Sequence, residues 1–159
     1  MPLPTGQRWC TFRVGDACFA VPADGVVEVL RSGPPTCVPR APAEVLGLVH
    51  LRGRIVPAVD PALRLGIARP RPERLTLLVI ALDDDWYALA IDEMHDVVVI
   101  PAAAIEPATA GVAGAESLTG VHAAPDRLVH LLDPWRMIHS PTRREAAGTR
   151  EAGSSHGRP

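Results

Sequence analysis

An all-β fold of two pseudo-symmetric halves, each of about five short strands and with only short helices, is predicted by three features of this 159-residue sequence. The first is an internal repeat. GLVHLRGRIVPAVDP at residues 47–61 returns as GVHAAPDRLVHLLDP at 120–134, with a constant offset of 73 that pairs Gly47 with Gly120, Arg54 with Arg127, Ile55 with Leu128 and Asp60 with Asp133. A weaker echo lies upstream, where VGDACFAVPADGVVEV (14–29) matches LDDDWYALAIDEMHDV (82–97) at an offset of 68, pairing Phe19 with Tyr87, Asp24 with Asp92 and Glu28 with Asp96. Two matched segments in the same order point to a duplicated half-domain. Two copies are too few for a solenoid or a propeller, so the halves are expected to pack about a pseudo-twofold axis. The second feature is apolar alternation with period two, and the third is the scarcity of helical periodicity between regularly spaced turn signals.

Each element follows from local chemistry. Residues 1–8 read as a flexible N-terminal arm and residues 9–139 as the folded part. Cys10, Phe12 and Val14 alternate with Trp9, Thr11 and Arg13, the pattern of a strand. Gly15-Asp16 reverses the chain into a second strand, and the β-branched run VVEVL (26–30) makes a third. After a connection at 34–43 carrying Pro34, Pro35, Pro39 and Pro42, the repeat folds as a hairpin turning at Arg52-Gly53, and PALRLG (61–66) forms a short helix. In the second copy, Asp83-Asp84-Asp85 turns ahead of a strand in which Tyr87, Leu89 and Ile91 alternate with Trp86, Ala88 and Ala90. VVVI (97–100), a turn near Ala102 to Ile105, and a hairpin at Pro125-Asp126 follow. DPWRMI (133–138) closes the folded part, with Asp133 as helix cap and Pro134 at the first helical position. Residues 140–159 are small and charged and lack large apolar side chains, the composition of a disordered tail. Five strands per half suffice to close a small barrel.

Composition removes several function classes. A hydrophobic fraction of 47% supports a buried core, while a net charge of -2 gives no long-range attraction to nucleic acid. Only 4% of residues are aromatic and the arginines are dispersed, which argues against a nucleic-acid-binding SH3-like module. Cys10, Cys18 and Cys37 are odd in number and lack CxxC spacing, and MPLPTGQRWC lacks the basic start and apolar run of a signal peptide, so a reducing cytoplasm is the expected location. The longest apolar runs, LLVIAL and VVVIPAAAI, fall far below the roughly 20 residues that cross a bilayer, so no direct membrane insertion is expected.

Catalytic readings find little support. Asp60 and Asp133 are related by the repeat as the paired aspartates of two-lobed acid proteases are, but each precedes proline and reads better as a helix cap. His122 and His130 flank one proposed hairpin without a third metal ligand at diagnostic spacing, and Asp83 to Asp85 suit a solvated turn better than a cation site. Cys37 has no assignable histidine partner, and no phosphate loop, GxSxG or HExxH occurs. No catalytic residue is assigned, and neither a metal nor a cofactor is expected.

Taken in order, the strand–VGD–strand start, VVEVLR, VPRAP, VLGLVHLRGRIVPAVDP, LRLG and LTGVHAAPDRLVHLLDPWRMI resemble the CheW-like domain of bacterial chemotaxis adaptors over residues 9–139. The resemblance implies two SH3-like five-stranded barrels that exchange strands. It also implies a cytoplasmic, non-enzymatic scaffold of a two-component pathway, recruited to membrane-associated receptor arrays. Its partners would be the cytoplasmic tip of a methyl-accepting chemoreceptor, the regulatory domain of a CheA-like histidine kinase, and other CheW-like domains. Glu28 and Arg52 match the family's acidic and basic positions, a charged pair expected across neighbouring strands beside a receptor groove. Val26, Val29 and Gly47 match receptor-side positions, and Gly53 is the structural turn residue. His50 stands where the family more often has asparagine, and the proline-rich 34–43 connection is a second departure. The length leaves no room for a kinase domain, so a stand-alone adaptor is expected, serving flagella, pili, gliding or another output.

Overall fold

Ten strands and two short helices follow one another in the computed structural model, which describes residues 5–70, 73–109 and 114–139. They are β1 (Gln7–Val14), β2 (Ala17–Pro22), β3 (Val26–Ser32), β4 (Val45–Leu51), β5 (Arg54–Val59), α1 (Pro61–Leu65), β6 (Leu75–Leu82), β7 (Asp85–Ile91), β8 (Glu93–Ile100), β9 (Leu118–Ala123), β10 (Leu128–Leu132) and α2 (Pro134–His139). β1 begins at Gln7, two residues inside the stretch expected as an arm. Residues 1–4 and the tail expected at 140–159 lie outside the described residues.

The strands form two five-stranded sheets, ordered β8-β1-β2-β10-β9 and β3-β6-β7-β5-β4. Replacing each strand by its repeat partner, β1 by β6, β2 by β7 and so on, turns one order into the other. Each sheet therefore takes one hairpin from one half and three strands from the other, which is the expected exchange. The parallel joints agree in register: Ala58 faces Ala88 where Leu131 faces Ala20.

This exchange explains the apolar runs. Hairpins β1–β2 and β6–β7 lie at or beside the centre of their sheets and bury both faces. On β7, Leu89 and Ile91 enter the cluster shared by the two sheets, while Ala88 and Ala90 enter the interior of one barrel. Phe19 and Val21 join the shared cluster, and Cys18 and Ala20 line the other barrel. Alternation of large with small residues thus marks two buried faces. Trp9 and Thr11 are buried as well, and the Thr11 hydroxyl exchanges hydrogen bonds with the backbone of Asp96 (2.7 and 3.1 Å) where the β1–β8 register shifts.

Gly47 and Gly120 do the same work. The chain leaving β3 returns at Thr36 to bridge Leu48, and the chain leaving β8 returns at Glu106 to bridge Val121. A Cβ on Gly47 would lie 2.3 Å from the Thr36 carbonyl oxygen, and one on Gly120 would lie 2.5 Å from that of Glu106. Only glycine admits so close a backbone crossing. Asp60 and Asp133 both cap helices, accepting from Ala62 N at 2.9 Å and from Arg136 N at 3.1 Å.

Candidate functional site

The most informative surface is the seam between β3 and β4, the two outer strands of one sheet. Leu51 and Arg54 close a two-residue hairpin in which Arg52 and Gly53 have φ of 51° and 76°. Positive φ at both central residues is the turn whose twist suits adjoining strands. Gly53 takes it without cost, while an arginine there carries strain of roughly 1 kcal/mol. The turn aims Arg52 back across the seam, and its Nε donates to Glu28 Oε1 on β3 at 2.8 Å. The expectation that this pair joins neighbouring strands is corrected. β3 and β4 sit at opposite edges of the sheet order, and the ion pair bridges the gap between them.

The other expected residues gather along β3. Val27 and Leu30 pack on the barrel interior, Val26 packs against the shared cluster, and Val29 is exposed. Gly47 is buried under Thr36, so it supports this edge from below and presents no side chain to a partner. In the second half the matching seam carries Asp96 in the place of Glu28 and Pro125 in the place of Arg52. Arg127 there donates to His95 Nδ1 at 2.9 Å. The acid–arginine pair is thus built on one seam of the two.

The alternative sites disperse. His122 faces Val129 across β9–β10, so His130 points to the opposite side of the same hairpin. His122 Nδ1 lies 2.9 Å from the Ala104 carbonyl oxygen, and His130 packs at a tilt of 39° against Phe19 with ring centroids 5.3 Å apart. Burial holds the His130 pKa below its ordinary value and raises the Cys10 and Cys18 thiols above theirs. Those two thiols are protonated at neutral pH, the opposite of what a nucleophile requires. Asp85 begins β7, with Asp83 and Asp84 in the turn before it. Among the described residues no three His, Cys, Asp or Glu side chains converge.

Sequence reasoning missed two features. Ile55 and Leu128, exposed apolar side chains at equivalent positions, and Val29 and Val97, likewise exposed and equivalent, give each half the same pair of surface hydrophobes. The repeat carried that signal. A cleft of about 390 Å³ between α2 and β5 is lined by Glu44, Arg64, Tyr87 and His139, with Arg64 Nη1 donating to Glu44 Oε1 at 2.9 Å. Nothing in the spacing of those residues foretold it.

Known proteins resemble this arrangement. The CheW-like domain pattern matches residues 8–142. A chemotaxis protein CheW of Rhizobium meliloti (strain 1021) is 35% identical over 103 residues, covering 64% of this chain and 66% of that protein. Protein FrzA of Myxococcus xanthus is 32% identical over 145 residues, covering 89% and 91%. The crystal structure of the scaffolding protein TtCheW from Thermoanaerobacter tengcongensis superposes with a TM-score of 0.77 at 20% identity, covering 89% of this chain and 95% of that one.

Proposed function

Because this chain belongs to the CheW-like domain family and works as a chemotaxis adaptor, we propose that it couples the cytoplasmic tips of chemoreceptors to the regulatory domain of a CheA-like kinase. It does so by binding alone, without catalysis, from the cytoplasm at membrane-associated receptor arrays. No helix among the described residues is long and apolar enough to cross a membrane.

The observation that carries this reading is the Glu28–Arg52 pair on a single seam beside exposed Val29. An amphipathic helix of the receptor tip docks its apolar stripe on Val29, and the flanking charges fix its register. Val26 and Gly47 support that edge from within. The kinase's regulatory domain, built on the same plan, meets the barrel ends where the duplicated hydrophobes Ile55 and Leu128 stand exposed. Another CheW-like domain fits the same surface.

Sedimentation of the full chain with a receptor tip fragment and a kinase regulatory domain tests the proposal. A complex containing all three is expected, and binding to neither partner overturns it. The same coupling serves flagellar, pilus or gliding outputs, which the kinase that co-purifies from the native cells distinguishes.

A further inference from the structure

The two parallel seams of the molecule close to different extents. Where β10 meets β2, Val129, His130 and Leu131 stand in register with Cys18, Phe19 and Ala20, but where β5 meets β7 only Ala58 and Val59 find partners, in Ala88 and Leu89. At the repeat offsets the two missing pairs are Val56 with Trp86 and Pro57 with Tyr87. Proline explains the gap. Leu48 exchanges backbone hydrogen bonds of 2.8 and 2.9 Å with Thr36 on the outer side of β4, so Leu48 and Pro57 face each other as a non-hydrogen-bonded pair and Pro57 turns its nitrogen toward β7. Val121 and Glu106 exchange the same bonds in the second half, which turns the His130 N–H toward β2. Pro57 has no hydrogen to donate there, and the seam opens.

The opening is confined to one end of that seam. Arg69, in the connection between α1 and β6, has only 5% of its side chain exposed. Its Nη2 donates to Asp60 Oδ1, just after β5, at 2.6 Å and to the Ala90 carbonyl of β7 at 2.9 Å, and its Nη1 donates to Asp92 Oδ1, just after β7, at 2.8 Å. One guanidinium pins the two strands where they end, and they part where they begin. Between residues 54–57 and 84–87 lies a slot of about 430 Å³, which meets the cleft beside α2 because Pro57 and Tyr87 line both. Rings line the groove so formed: Trp86, Tyr87, Pro57 and Pro42, with His139 edge-on to Tyr87 at 6.1 Å between centroids. At its outer end the Arg54 guanidinium lies 4.3 Å from the centroid of Trp86 and donates to the Asp84 carbonyl oxygen at 3.2 Å, beside the exposed side chains of Asp84 and Asp85. The place already seats one cation.

We propose that this groove binds a proline-rich segment of a partner protein, wound as a polyproline II helix, with a basic side chain of that segment set against Asp84 and Asp85. A β-strand cannot zip into the gap, because Pro57 offers it no donor. A polyproline II segment needs no ladder and lays its rings on aromatic and proline faces. The two carboxylates at one end of the groove then fix which way the segment runs.

Fluorescence anisotropy of the labelled peptide Arg-Pro-Leu-Pro-Pro-Leu-Pro, titrated with the full chain, decides the matter. Saturable binding below about 1 mM is expected, and the same peptide with its prolines replaced by alanine should bind at least about tenfold more weakly. Asp84→Asn together with Asp85→Asn, a change at the surface that leaves the fold intact, should weaken the arginine peptide about three- to tenfold and a norleucine version less than about twofold. Pro57→His, which gives this seam the residue of the closed one, should abolish binding, with thermal melts as the check on folding. No binding up to about 1 mM overturns the proposal, as does equal binding of the alanine peptide or indifference to the aspartate changes. A dimer of the chain alone that Pro57→His dissolves would give the groove to a second copy and overturns it too.

Discussion

Reversing Arg52 separates a surface ornament from a docking contact. At 2.8 Å the attraction between Arg52 and Glu28 is about 1.5 kcal/mol at the dielectric of water, and salt and side-chain ordering bring its net worth below about 1 kcal/mol. Arg52→Glu removes that and adds a repulsion of similar size, a total of about 1–2 kcal/mol. Glutamate carries the same strain at φ 51°, so the backbone adds nothing. For a domain of this size the melting temperature should fall by about 3–6 °C, which leaves the protein folded. If a receptor helix docks across the seam, a misplaced carboxylate weakens binding by about 1–3 kcal/mol, roughly five- to a hundredfold, while kinase affinity changes less than about twofold. The double exchange Glu28→Arg, Arg52→Glu restores the pair in reverse and should recover part of the loss. Titration of the wild type and three variants against a receptor tip fragment and a kinase regulatory domain, with thermal melts, reads all of this. Unchanged receptor affinity for Arg52→Glu would refute the site while leaving the fold intact.

Three further outcomes are expected. Gly47→Ala drives a methyl group into the Thr36 carbonyl and should cost about 2–3 kcal/mol in urea unfolding, with faster proteolysis at residues 33–37. Arg69→Met strands two aspartates that are mostly buried, and should cost about 3–5 kcal/mol by the same measurement, far more than any change at Arg52. His130 titrates below its ordinary pKa of 6.5 in the folded chain, so its contribution is complete above that value and is lost as pH falls through it toward the folded pKa. The urea midpoint should therefore drop as the pH falls below 6.5, and His130→Phe should flatten that part of the profile.

Much of the fold was legible because the repeat is a geometric statement. Matching Asp60 to Asp133 located two helix caps, and Arg52-Gly53 announced its own turn, whereas the match of Gly47 to Gly120 marked equivalent positions without the backbone crossings that occupy them. What the sequence could not convey was which strands meet across a sheet. Alternation on β7 reads as one buried face, and only the exchange of hairpins shows that Ala88 and Ala90 face a second interior. For the same reason Glu28 and Arg52 were matched as partners without their seam, since edge order is set by contacts distant in sequence. Arg69 was invisible because it lies in the connection, outside both copies of the repeat.

The exchanged hairpins also dictate an order of assembly. β3 to β7 occupy an unbroken stretch from Val26 to Ile91, so one sheet holds all its strands before the rest of the chain is made. The other sheet joins Cys18 to Val129, the largest separation of any paired strands here, and the β1–β2 hairpin has no β10 to lie against until the ribosome has passed Leu132. A growing chain can seat Phe19 and Val21 of its first hairpin on the finished sheet, but must carry the opposite face, Cys18 and Ala20, without its β10 cover until Leu132 is made. That interval is when this protein is most open to mispairing with a neighbouring chain, and its yield in a cell depends on how quickly its last strand arrives.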